Sequence, residues 1–120
     1  HMFWLAPAHT RAPGGESFAE LMDRVTGVID RLTAEHSGRD IVAVTHGGTI
    51  RAAIGHALGL DPEAALTCQV DNCSLTRIDH FGPTASHPEG AWAIFHINQL
   101  PAMDSMLVPD HTAMLASVQR

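Results

Sequence analysis

Five consecutive residues, Ile41-Val42-Ala43-Val44-Thr45, form an apolar run rich in β-branched side chains that closes on His46-Gly47-Gly48. Branched side chains suit a strand, and a run without polar alternation suits one covered on both faces. A strand buried on both sides needs layers above and below it. The run therefore predicts an α/β architecture, with a largely parallel sheet and flanking helices.

The flanking segments supply those helices. Ser17 and Glu20 make a Ser-x-x-Glu capping box, and Phe18, Leu21, Met22, Val25, Val28, Ile29 and Leu32 follow at helical spacing. This helix is expected to end near His36, with Gly38 as its left-handed stop. After His46-Gly47-Gly48-Thr49 a second helix carries Ile50, Ala53, Ile54, Ala57 and Leu58 on one side and stops at Gly59. Asp61-Pro62-Glu63 opens a short third helix, because proline fits a first turn. Cys73 to Phe81 and Ala91 to Ile97 then read as an antiparallel hairpin with a long connection, Gly82 to Gly90. Phe3 to Gly15 reads as an irregular lead-in, and the last twenty residues, 101–120, as a mobile tail or a short helix after Asp110.

Composition narrows the class. With 120 residues, 45% of them hydrophobic and 17% charged, the sequence suits one soluble domain over 1–120. His1-Met2 reads as the remnant of a cleaved purification tag. Thirteen acids against seven bases give a net charge of -6, and every base is Arg. Such a balance excludes a nonspecific nucleic-acid binder, which needs a basic face to release counterions. The apolar stretch Met2 to Ala6 is far shorter than the roughly 20 residues that span a bilayer, so no membrane partner is expected and the chain reads as cytoplasmic. Cys68 and Cys73 read as buried, reduced thiols. Nine His invite a metal reading, but no His-x-His, His-x-x-x-His or Cys-x-x-Cys supports it.

Two units can carry chemistry. In the first, His46 ends the apolar run at a helix start, where unbonded backbone N–H groups favour an anion and the glycines let it come close. His46 and the Gly47 amide can therefore meet a phosphate together. A strand-capping His with two packing glycines is the competing reading of the same residues. This turn is not a Walker A loop, because no Gly-Lys-Ser/Thr follows, and it lacks Gly-x-Gly-x-x-Gly. In the second unit, Pro13-Gly14-Gly15-Glu16-Ser17, a carboxylate sits on a glycine-flanked loop just before a helix. Glu16 can serve there as a proton donor or acceptor, or simply as a solvent-facing acid that favours the helix dipole.

Taken in order, Gly-Gly-Glu-Ser, a helix with Arg24, an apolar strand, Thr-His-Gly-Gly-x-Ile-Arg, Leu58-Gly59-Leu60 and Asn72-Cys73-Ser74 resemble the C-terminal half of the histidine phosphatase superfamily, the phosphoglycerate mutase-like family. The resemblance runs from about Pro13 to Asn98. It implies phosphoryl transfer from a small phosphorylated metabolite through a phosphohistidine, without a metal or other cofactor. In that family one His is the nucleophile, a second His and Arg side chains hold the phosphoryl oxygens, and an acid protonates the leaving oxygen. Here His46 matches the second His, Glu16 the proton donor, and Gly47 the residue whose amide faces the phosphate. Phosphatase is favoured over mutase because this half carries no long insertion that encloses a sugar phosphate.

One departure is large. The family's nucleophile lies in an Arg-His-Gly motif at the end of a first strand, and this sequence contains no Arg-His-Gly. His9 has neither a buried strand before it nor a glycine after it, and the surroundings of Arg11 do not match the family's second phosphate-clamping Arg. The expected sheet is therefore incomplete and the chain alone inactive, a truncated enzyme whose apolar edge seeks a homo-oligomeric partner such as a homodimer, or a complementing N-terminal half. The alternative is a noncatalytic phosphate-binding or assembly module of the same fold.

Overall fold

The computed structural model describes residues 7–101. His1-Met2, the stretch Met2 to Ala6 and, apart from Pro101, the terminal twenty residues lie outside the described residues, together with the readings made for them.

Helix α1 (Phe18–Glu35) starts as its sequence dictates. The Ser17 Oγ accepts from the Glu20 N–H at 3.2 Å, and the Glu20 carboxylate accepts from the Ser17 N–H at 3.2 Å, a complete capping box. Helix α2 (Gly47–Leu58) stops where Gly59 turns left-handed at φ 67°, and the Leu60 N–H reaches back to the Gly55 carbonyl at 2.8 Å. Helix α3 (Pro62–Leu66) is capped by Asp61, whose Oδ1 accepts from the Ala64 N–H at 2.8 Å.

Two clusters hold these elements together. Met22, Val25, Ala52 and Ala65 join the three helices, with Phe18, Leu21, Ile29 and Leu60 at the margin. The approach is close because position 55 has no side chain: a methyl there would stand 2.8 Å from the Ala65 Cβ and 2.7 Å from the Met22 Cε. Ile50, Ile54 and Val70 form the second cluster, with Cys68 and Ile94 against it. Ile54 is fully buried, and burying a side chain of that size contributes about 1.5–3 kcal/mol.

Strands β1 (Leu75–Phe81) and β2 (Ala91–Gln99) pair antiparallel as expected of the hairpin, from Phe81 opposite Ala91 to Leu75 opposite Gln99, with register shifts around Arg77. Trp92 lies between two imidazoles, with ring centroids 5.5 Å from His56 and 4.6 Å from His80. His56 also reaches α1, its Nε2 standing 2.8 Å from Asp30 Oδ1.

The structure corrects three expectations. The sheet among the described residues is this two-stranded antiparallel hairpin, not a largely parallel sheet. Ile41–Thr45 is not a strand and is not covered: Ile41, Val42 and Val44 are 49%, 76% and 69% exposed. Apolarity and branching set a preference for extended backbone, but a strand exists only as one side of a ladder, and no other strand among the described residues pairs with this run. Finally, Cys73 is exposed rather than buried, in a turn at φ 60°, while on β2 Phe95 is exposed beneath the Arg77 guanidinium, 4.5 Å from its ring centroid. Both cysteines are free thiols, with Cys68 half-buried.

No helix among the described residues is long and apolar enough to cross a membrane.

Candidate functional site

His46 occupies the N-cap of α2 in extended backbone, at φ -95° and ψ 159°, and its carbonyl accepts the first intrahelical bond from the Ile50 N–H at 3.2 Å. Its side chain gives no cap to the helix it precedes. The first-turn amides of Gly47, Gly48 and Thr49 therefore receive no partner from the residue that most often provides one. Such a helix end presents donors and the positive end of the dipole toward solvent, where an anion is favoured. His46 is exposed beside them.

Packing also explains both glycines. A methyl on Gly47 would come within 3.2 Å of Arg51 Nη1 and 3.7 Å of the Val70 carbonyl oxygen, and one on Gly48 within 3.4 Å of Leu21 Cδ2. The two readings of this turn are thus compatible, because the same missing side chains permit the packing and bare the amides.

The Glu16 loop is built differently. Ala8, fully buried, accepts from the Ala19 N–H at 2.8 Å and donates its own N–H to Glu63 Oε1 at 3.1 Å, so the lead-in is strapped between α1 and α3. The loop turns at Gly15, whose N–H donates to the Ala12 carbonyl at 2.9 Å. Glu16 is exposed, and both its oxygens accept from Arg24, from Nη2 at 2.5 Å and from Nε at 3.3 Å. Arg11 Nη2 donates to Glu20 Oε1, while Glu20 Oε2 serves the capping box. Hydrogen bonding to Arg24 holds the Glu16 carboxyl below the usual carboxylate range, and Arg11 does the same for Glu20. A proton donor needs the opposite shift, toward neutrality. In this arrangement Glu16 is an ionised acceptor already occupied by a guanidinium.

The Glu16 loop borders a hollow that the His46 turn does not line. A mostly apolar hollow of about 260 Å³ opens beside Glu16, walled by Phe18, Leu21 and Leu66. His46 and Gly47 do not line it, but Leu21 does, and Leu21 also packs against Gly48. Leu21 thus borders both the hollow beside Glu16 and the turn at Gly48. His9 is exposed on the lead-in.

The residue that sequence reasoning passed over is Arg51. It stands one turn after Gly47, its Nε donates to the Cys68 carbonyl at 2.8 Å, and its Nη1 lies against Gly47. The signal was present in the four-residue spacing, which puts Gly47 and Arg51 on one helix face.

Comparison with known proteins gives this geometry a context. The model of the histidine phosphatase superfamily (branch 1) matches residues 1–87. The probable phosphoglycerate mutase GpmB of Yersinia enterocolitica is 36% identical over 70 residues, covering 58% of this chain and 33% of that protein. The proteins of the same name from Serratia proteamaculans and Shigella boydii are 36% identical over 73 residues and 34% over 70 residues, covering 61% and 58% of this chain and 34% and 33% of their own lengths. The chain thus spans about a third of the length of the curated relatives it matches. No solved structure is a significant match. With the family match running through the glycine loop, α1 and the His46 turn, the chain belongs to the histidine phosphatase superfamily.

Proposed function

We propose that this chain supplies the phosphate-holding part of a site that moves a phosphoryl group from a small phosphorylated metabolite in the cytoplasm. His46 and the Gly47 amide hold phosphoryl oxygens in this reading, and the observation that carries it is an uncapped helix start with an exposed imidazole at its N-cap. Phosphoryl transfer gains mostly from positioning and charge stabilisation, which are what such a turn provides. The nucleophilic His comes from outside this sequence, which has no Arg-His-Gly. Its ring nitrogen bonds to phosphorus as the ester P–O bond breaks, the leaving oxygen takes a proton, and water then cleaves the P–N bond to release phosphate.

Hydrolysis is favoured over mutase chemistry, because the segment around His46 is compact. Glu16 serves as proton donor in this scheme only once Arg24 lets go of it. The apolar run Ile41–Thr45 marks where the missing part docks, either an N-terminal half or a second copy. Asp40, at its head, lies within electrostatic reach of Arg77 on β1, which is held charged first by Asp79 and then by Asp40. A second reading, a noncatalytic phosphate-binding or assembly module, draws support from the occupied Glu16 and the absent Arg-His-Gly motif.

Incubation with p-nitrophenyl phosphate separates these readings. The chain alone is expected to release no product, and a mixture with a matching N-terminal half that carries the family's Arg-His-Gly motif is expected to turn over and to stop when His46→Ala is introduced. Product from the pure chain would refute the divided site, and an inert mixture that still binds phosphate would favour the noncatalytic module.

A further inference from the structure

Arg11, Arg24, Arg31 and Arg77 each face a carboxylate within 4 Å. Arg51 is bonded differently, to the neutral carbonyl of Cys68 at 2.8 Å. Side chains on a helix lean toward its N-terminus, so the Arg51 guanidinium runs back under the turn that opens α2. There its Nη1 stands 3.2 Å from where a Gly47 methyl would be. Its charge is felt in the adjoining loop, where Asp71 is held below the usual carboxylate range first by Asn98 and Gln69 and further by Arg51.

That loop is itself anchored. The Asp71 N–H donates to Asn98 Oδ1 at 2.7 Å, and Asn98 Nδ2 donates back to Asp71 Oδ2 at 3.0 Å. Val70, between the two anchors, is buried and packs against Gly47 through its carbonyl and Cγ1. A continuous clamp therefore runs from the end of β2 through Asp71 and Val70 to the His46–Gly47 turn, with Arg51 closing it from inside α2.

We propose that Arg51 is a positioning residue for the phosphate at this turn: it clips the Gly47 backbone to the Cys68–Asp71 loop and places a positive charge behind the amide that faces the anion. The inference rests on the reading of His46 and Gly47 as phosphate ligands. An arginine fork can do both tasks at once, whereas an ammonium keeps the charge and loses the clip.

Two measurements on the full chain test it. In the first, inorganic phosphate is titrated in and the Gly47 amide is followed by NMR. Arg51→Met is expected to weaken binding about tenfold, the scale of one charge-assisted hydrogen bond, and to flatten its salt dependence. Arg51→Lys should recover the salt dependence and part of the affinity. Phosphate bound by Arg51→Met as tightly as by the parent, with the same salt dependence, overturns the charge role. In the second, thermal unfolding is compared for Gly47→Ala, Arg51→Met and the double variant. Gly47→Ala should lower Tm in the parent and lower it less in the Arg51→Met background, because the crowding atom has gone. Equal losses in both backgrounds overturn the clip. A parent chain that binds no phosphate refutes the ligand reading of the turn and the charge role with it, and leaves the unfolding cycle to decide the clip.

Discussion

Two segments of this molecule obey the same local grammar, a glycine pair leading into a helix, and end in opposite electrostatic states. Before α1, the chain closes its own helix end: Ser17 caps, Glu20 returns the bond, Ala8 takes a first-turn amide, and Arg24 and Arg11 neutralise the two carboxylates. Before α2, the His46 side chain gives no cap and Arg51, one turn on, is bonded to a neutral carbonyl. The first end is closed by side chains of its own segment, and the second has no side-chain cap from its N-cap residue. An anion site needs the second condition, so the motif with the stronger local order is the poorer candidate for chemistry.

The largest expected effect comes from breaking the packing on which both ends depend. Gly55→Ala puts a methyl 2.8 Å from the Ala65 Cβ, and should cost about 1–3 kcal/mol in urea unfolding, as overpacking of a filled core does. Next, the two ends should separate in phosphate affinity. His46→Ala is expected to weaken inorganic phosphate binding about tenfold, while Glu16→Gln changes it less than about twofold, as expected of an exposed paired charge. Equal losses would mean that loop and turn form one pocket after all. A smaller change should convert the open end into the closed kind: His46→Asp supplies the missing cap, raising stability by about 1 kcal/mol while repelling phosphate. Ser17→Ala, its mirror experiment, should cost about 1 kcal/mol and leave phosphate binding alone.

The smallest effect lies in acid. Glu16 and Glu20 have folded pKa values below their unfolded ones, so their pairs add stability that is fully present above the ordinary carboxylate range and is lost as pH falls through the lowered values. Both acids are solvent-exposed, which keeps the slope shallow. Glu16→Gln should flatten it further, as read from Tm between neutral pH and about pH 3. An unchanged slope would remove Arg24 as the partner that matters.

How much of this was legible in the sequence depended on whether the cause was local. The capping box at Ser17 and the stop at Gly59 are each fixed by residues within a turn of one another, and each appears as read; the hairpin also pairs antiparallel as read, but burial along its strands does not alternate. Ile41–Thr45 failed because its state depends on a partner elsewhere, and no apolar count reveals whether one is present. The tie between Glu16 and Arg24 crosses the start of a helix at a separation of eight residues, which no periodicity flags. Arg51 lies within the motif, but its contacts with the Cys68 carbonyl and Gly47 arise only once the Cys68–Val70 segment folds against the turn.

The bare apolar ribbon before His46 has one practical consequence. Among the described residues no ladder slows the trade of its main-chain hydrogens with deuterated solvent, so in the isolated chain they should vanish from a mass spectrum among the earliest. The docking proposed for Ile41–Thr45 predicts a block of consecutive slowed positions when a second copy or a complementing half is added, and an unchanged exchange pattern would count against it before any catalytic assay is attempted.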